Sequence, residues 1–330
     1  MDKIILAHGS GGQRTDELIK KLVLKYFKSK HLSHLPDAAK LDVKKKIAFT
    51  TDSFVVNPLF FPGGDIGKLA VCGTVNDLLT QAARPRFLSC GVILEEGLPL
   101  DDLEKIFSSM DREAKQAGIE IVTGDIKVVE KGKADRIYLN SSGIGEIIAD
   151  VGFEKIKKGD AVIVTGGIGE HEIAVYMARM KEKGVLSDCA SLTSVVLPLI
   201  EKFGGSIHFM RDPTRGGLAG VVLEIAETAR TDITINEGSV PVRKEVRVTC
   251  ELMGFDPLYL ANEGKMVIVA AESAAGSILD FFKKKKLSRL ASIIGRIGSP
   301  SRKPEVNLRT KIGGMRRIEK LSGEQLPRIC

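Results

Sequence analysis

Apolar residues along this chain recur with two periods, and the alternation of those periods predicts strands and helices in turn. Residues 1 to about 40 read as a glycine-containing arm followed by a helix, Thr15 to Lys28. Ile47 to Thr51 is a predicted strand, and Asp65 to Ala83 a predicted helix with an apolar line of Leu69, Cys72, Val75, Leu79 and Ala82. A strand from Phe87 to Leu94, a helix from Leu100 to Ala117, and strands from Ile119 to Thr123 and Ile137 to Ile147 complete one α/β unit. The charged stretch Lys155 to Asp160 reads as a crossing into a second unit of the same style. Its predicted strands are Ala161 to Thr165, Ser206 to Phe209, Met266 to Ala270 and Ser292 to Ile297. Its predicted helices are Ile173 to Lys183, Leu192 to Phe203, Thr214 to Ala229 and Ser273 to Lys284. From Ser299 onward Pro300, Pro304, Gly313 and Gly314 break the pattern.

The resulting division is an arm and helix (1–40), an N-terminal domain (41–154), a C-terminal domain (155–298) and a tail (299–330). A length of 330 residues agrees with two domains of roughly 150 each. No run approaches about 18 apolar residues, so no membrane span is expected, and the apolar run after Met1 is too short for a signal peptide. The five cysteines, 72, 90, 189, 250 and 330, show no Cys-x-x-Cys spacing, which predicts reduced thiols and a cytoplasmic location. The net charge of +7 comes from Lys44 to Lys46, Lys283 to Lys286 and the residues after Arg302. No aromatic residue follows Phe282, so the basic tail lacks stacking platforms and no nucleic-acid partner is expected. Solvated lysine faces with some attraction for phosphate or acidic partners explain the charge.

Three predicted strands end in aspartate: Ile47 to Thr51 at Asp52, Ile119 to Gly124 at Asp125, and Ile207 to Arg211 at Asp212. Oxygen ligands beyond strand ends suit Mg²⁺ and the phosphates it accompanies. Asp77 lies in the helix after Asp65, on a face shared with Gly73, Asn76 and Thr80 and away from the apolar line. Each aspartate also has a structural reading. Asp65 fits an N-cap, and Asp212 before Pro213 fits an N-cap followed by proline at the first helical position. The loop from Gly63 to Leu69 is no P-loop, because Leu69 replaces the required Ser/Thr. Gly167-Ile168-Gly169 has Glu172 where a dinucleotide fingerprint needs glycine. His8-Gly9-Ser10-Gly11-Gly12 is either a mobile N-terminal loop or one whose backbone amides close over phosphates.

Several blocks considered together carry a resemblance. They are His8 to Gly12, Thr50-Thr51-Asp52-Ser53, Gly73-Thr74-Val75-Asn76-Asp77, Thr123-Gly124-Asp125, Arg211-Asp212-Pro213-Thr214-Arg215-Gly216-Gly217, Asn262-Glu263-Gly264 and the ending Pro327-Arg328-Ile329-Cys330. Across essentially the whole chain they resemble the HypE family of hydrogenase maturation factors, the carbamoyl dehydratases. The family sits in the wider aminoimidazole ribonucleotide synthetase superfamily with selenophosphate synthetase. The resemblance implies a two-domain α/β (α+β) fold of the aminoimidazole ribonucleotide synthetase type, whose N-terminal domain forms a homodimer and the ATP site, with a flexible C-terminal tail. It implies Mg²⁺ held by Asp52, Asp77 and Asp125, and ATP contacts from Gly11, Gly12, Thr51, Asp65, Lys68, Asn76 and Asp212. Catalysis would use Cys330 and a base, either Glu263 or Lys127.

The implied reaction explains a terminal cysteine. A carbamoyltransferase, HypF, would load the thiolate of Cys330; ATP would phosphorylate the carbamoyl oxygen so that it leaves as phosphate, and the S-cyanate formed would pass to a HypC–HypD iron scaffold as cyanide for a NiFe-hydrogenase. ADP and phosphate are the other products. The other four cysteines lie among apolar neighbours and read as core residues. Seventeen residues separate Gly313 from Cys330, a reach of at most about 55 Å. Selenophosphate synthetase is disfavoured because no cysteine stands in the arm from Ala7 to Thr15. A nucleotide-binding scaffold with a docking tail, the remaining alternative, gives the aspartates and Cys330 no task.

Overall fold

The computed structural model describes residues 3–9, 17–28, 46–182 and 184–320. Gly11, Gly12 and Cys330 lie outside them. In chain order the elements are β1 (Ile47–Phe54), β2 (Phe60–Phe61), β3 (Gly64–Asp65), α1 (Ile66–Thr80), β4 (Ala83–Glu95), α2 (Leu100–Ala117), β5 (Glu120–Val129) and β6 (Ile137–Ile147). The second unit adds β7 (Ala161–Val164), α3 (Glu170–Arg179), α4 (Thr193–Phe203), β8 (Ile207–Arg211), α5 (Gly217–Ala229) and β9 (Thr231–Asn236). It closes with α6 (Lys244–Met253), β10 (Val267–Ala270), α7 (Glu272–Lys283), β11 (Ser292–Pro300), β12 (Val306–Arg309) and β13 (Met315–Ile318). Among the described residues, no helix is long and apolar enough to cross a membrane.

The N-terminal sheet has the order β1-β6-β4-β5, and its only parallel pair is β4 with β5. α2 forms over the residues predicted, with Asp101 and Asp102 in the first turn to favour the helix dipole and Gly118 at φ +70° to end it. α1 is buried on nearly every side, because the C-terminal domain covers the face opposite its apolar line. The C-terminal sheet has the order β13-β12-β9-β11-β7-β10-β8. β7 and β10 are apolar at every position and buried on both faces. Ala161 and Ile163 face one core, and Val162 and Val164 face a second core built on α5. Such unbroken apolar runs belong in the middle of a covered sheet.

The tail begins later than expected. Residues 306–318, assigned to the tail by the Pro and Gly pattern, form β12 and β13 and pair with the C-terminal sheet. Pro304, Gly313 and Gly314 lie in the connections beside these two short strands, and Pro300 ends β11 opposite Thr231. Only the ten residues after Lys320 follow the described chain, and their reach is at most about 33 Å rather than 55 Å. The four cysteines read as core residues, Cys72, Cys90, Cys189 and Cys250, are all buried.

A strap between α3 and α4 joins the domains. Ser187 N–H donates to Pro62 O (2.8 Å), and Asn76 Nδ2 donates to Ala190 O (3.0 Å) while its Oδ1 accepts from Leu192 N–H (2.9 Å). Beneath the strap His171 is fully buried, with Nδ1 2.9 Å from Ser187 Oγ, the Phe61 ring edge-on at 5.4 Å and, among the described residues, no protein partner for Nε2. Burial pushes its imidazole down to about 4. The unfolded chain therefore takes up a proton near pH 6.5 that the folded chain refuses until about 4, so stability is complete above 6.5 and falls between those values. The loss amounts to about 3 kcal/mol. Urea unfolding from pH 7 to pH 4 is expected to weaken more steeply for the wild type than for His171→Gln; parallel pH curves would refute this.

Candidate active site

A cleft runs along β1, the edge strand of the N-terminal sheet, where the loop after β8 approaches it. Two adjoining cavities of about 310 and 540 Å³ share Thr51, Asp52, Asp77, Asp212, Thr214 and Arg215; Glu263 and Gly73 line the smaller one. Gly73 matters because a Cβ there would come within 3.0 Å of the Phe54 ring. Its absence lets β1 lie against α1, which sets Asp52 beside Asp77. Thr50 Oγ1 donates to Asp77 Oδ2 at 2.7 Å and fixes that side chain.

Asp52 and Asp125 do not end their strands as predicted; both lie inside them, at Asp52↔Ser141 in β1–β6 and Gly91↔Asp125 in β4–β5. Asp212 does follow β8. Its predicted N-cap role is not taken, because α5 begins at Gly217 with Gly216 as its cap. That leaves the Asp212 carboxylate for the cleft. Burial, followed by the charges of Asp77 and Asp52, pushes it up to about 7. Asp52 is raised by burial and by Asp77, and Asp77 by burial. Carboxylates gathered in this way suit a cation. Among the described residues, no three such side chains are already close enough to hold a metal alone, so phosphate oxygens would have to complete the shell.

Arg211 and Arg215, which the sequence reading passed over, supply positive charge. Arg211 lies 3.5 Å from Glu224, and Arg215 acts electrostatically on Asp52. The signal was present in the block that names Asp212, where an arginine stands on each side.

Other predicted residues lie elsewhere in one protomer. Asp125 sits on β5, three strands or about 14 Å from β1, on the sheet face opposite Asp52. Its carboxylate is 2.7 Å from Lys127 Nζ, and both side chains are about two-thirds exposed. Asp65 caps α1, accepting from Gly67 N–H (2.8 Å), Lys68 N–H (3.1 Å) and Ser109 Oγ (2.5 Å). It is about 18 Å along the helix from Asp77. Lys68, near the same end, donates to Gly63 O at 3.0 Å. Asn76 spends its amide on the strap and on Glu263 O (3.3 Å). Of the two predicted bases, Glu263 alone lines the cleft. Burial raises it well above the usual carboxylate range, and Cys189, Asp212 and Asp188 add to the effect. Lys127 lies beside Asp125 on β5, away from the cleft of its own protomer.

Asn262 builds the loop that carries Glu263. Its Nδ2 donates to Pro213 O (3.0 Å) and Leu260 O (2.9 Å), and its Oδ1 accepts from Gly169 N–H (2.7 Å). One amide thus ties the Asp212 turn, the Glu263 loop and the Gly167–Gly169 loop together.

A cleft of buried carboxylates at the seam between these two domains defines a class. Residues 36–147 match the family model for the N-terminal domain of AIR synthase related proteins, and residues 157–304 the model for their C-terminal domain. The chain is 41% identical to carbamoyl dehydratase HypE of Escherichia coli strain K12, over 100% of both chains. It superposes on a crystal structure of hydrogenase maturation protein HypE in complex with ATP at a TM-score of 0.95, with 44% identity over 99% of each chain. It also matches a crystal structure of a HypE–HypF complex at 0.80, with 43% identity over 92% of this chain and 99% of that one. The chain belongs to the carbamoyl dehydratase HypE family of hydrogenase maturation proteins.

Proposed function

We propose that the protein uses ATP to dehydrate a carbamoyl group carried as a thioester-like adduct on Cys330, leaving the S-cyanate that becomes the cyanide ligand of a NiFe-hydrogenase iron. The observation that carries the reading is the cleft itself. It holds Asp52, Asp77 and Asp212 for a metal and phosphates, and a protonatable carboxyl, Glu263, against the same space. ATP binding is supported by the relative solved with ATP, and association with HypF, which would load Cys330, by the relative solved with HypF.

The carbamoyl oxygen of S–C(=O)–NH₂ attacks the γ-phosphorus of ATP, and ADP leaves. Expulsion of that oxygen as phosphate, with loss of two N–H protons, forms the C≡N bond. Glu263 receives one proton and the departing phosphate carries the other; burial raises the Glu263 carboxyl well above the usual carboxylate range, which makes its ionised form a stronger base. Arg215 faces the charge that moves through the phosphoryl group. Bound Mg²⁺, on Asp52 and Asp77 with Asp212 nearby, would neutralise phosphate charge. Asp125 joins that set only from a second protomer, which agrees with a homodimer built on the face of the N-terminal sheet that carries Phe49, 66% exposed among the described residues. Thr51 lines the nucleotide space, and the glycines Gly11 and Gly12 would close over phosphates. The S-cyanate passes to the HypC–HypD scaffold in the cytoplasm.

Mass spectrometry of the HypF-loaded protein is the test. The adduct on Cys330 is expected to lose one water only when both ATP and Mg²⁺ are present. Loss without ATP, or ATP hydrolysis that leaves the adduct mass unchanged, would overturn the reading.

A further inference from the structure

The strap that locks the domains also reaches the loop of Glu263. The side chain of Asp188 is fully buried, and its carboxylate accepts from two consecutive backbone amides, Glu263 N–H at 3.3 Å and Gly264 N–H at 3.1 Å. The fit leaves no slack: a Cβ at Gly264 would stand 1.9 Å from Asp188 O. The buried charge is compensated by Lys265, whose Nζ lies 3.3 Å from Asp188 and 3.3 Å from Glu170. Arg243 pairs with Glu170 at 2.5 Å, so charges of alternating sign lead from the surface to the Glu263 loop. On either side of Asp188 the strap is tied to the N-terminal domain, through Ser187 to Pro62 and through Ala190 to Asn76, the neighbour of Asp77.

We propose that Asp188 is a positioning residue for the dehydration: it fixes the backbone of Glu263 against the N-terminal domain, and so sets the distance between the Glu263 carboxylate and the aspartates of α1 and β1. The proposal rests on the reading of Glu263 as the proton acceptor. Two backbone bonds from one carboxylate hold a loop in one place, and a base misplaced by about 1 Å loses rate on the order of 100-fold while ATP still binds. A residue that merely stabilised the domain would change the melting temperature without separating kcat from KM.

The experiment uses the full-length, HypF-loaded protein and follows ATP-dependent loss of water from the adduct. In Asp188→Asn one acceptor is replaced by a donor facing N–H groups and an ammonium, and kcat is expected to fall about 10- to 100-fold with the KM for ATP within about threefold of wild type. Lys265→Met keeps the carboxylate clamp but removes its counter-charge. It is expected to melt at lower temperature yet turn over within about threefold of wild type when assayed below that temperature. Should Asp188→Asn fail to fold, the double variant Asp188→Asn/Lys265→Met leaves no unpaired ion between these two positions, and the same fall in kcat is expected. Wild-type kcat in Asp188→Asn or the double variant, or a loss in Lys265→Met as large as theirs, would overturn the proposal. Glu263→Gln separates the two levels: full turnover there would overturn the reading of Glu263 and the proposal with it. Loss there with full turnover in Asp188→Asn would overturn the proposal alone.

Discussion

Replacing Cys330 by serine is expected to abolish formation of cyanide-loaded protein while ATP binding persists. The thiolate does two jobs that a hydroxyl does poorly: it accepts the carbamoyl group near neutral pH, and it carries the product as a stable S-cyanate. The described chain ends beside the loops that carry the cleft: Tyr259, four residues before Glu263, donates from Oη to Glu319 O at 2.8 Å, and Lys320 pairs with Glu227 of α5. The ten residues after Lys320 could span at most about 33 Å. Mass spectrometry after incubation with HypF, carbamoyl donor, ATP and Mg²⁺ is decisive. A serine variant that still yields a cyanide-loaded protein would exclude Cys330 as the carrier.

Asp77→Asn is expected to lower ATP turnover on the order of 100-fold or more, without loss of stability. The carboxylate is one of three crowded in the cleft, and the amide removes charge that phosphate-bound metal needs. Asparagine keeps an oxygen for Thr50 Oγ1, the one hydrogen bond that fixes the side chain. Removing the charge also relieves the burden on Asp52 and Asp212, both of which Asp77 raises. The melting temperature is therefore expected to hold or rise while turnover collapses. Retained turnover would remove Asp77 from the metal site; a lower melting temperature with proportionate loss would assign it a structural task.

The two domains, and most of their elements, were legible because periodicity is a local property of a segment. The unbroken apolar runs of β7 and β10 could only be covered strands, and the spacing in Leu100 to Ala117 could only be an amphipathic helix. β12 and β13 escaped because each has four residues and lies beside proline or glycine. β12 is held by pairing with β9 and β13 by pairing with β12, rather than by any strong pattern of their own. β9, with its clean alternation of burial, was passed over because it opens on the polar pair Thr231-Asp232.

Residue type and place in the apolar pattern by themselves named Asp52, Asp77 and Asp212, whereas Glu263 was named only by the resemblance of the block Asn262-Glu263-Gly264. Which of the named residues meet was decided only by the fold. Strand order put Asp125 three strands from Asp52, helix length put Asp65 and Lys68 far from Asp77, and domain docking turned Asn76 into a strut. Asp188 gave no signal, because the amides it holds lie 75 and 76 residues further along the chain. The chemical identity of a side chain is written at its own position, whereas its neighbours are chosen by burial and strand pairing between segments that the chain order keeps apart.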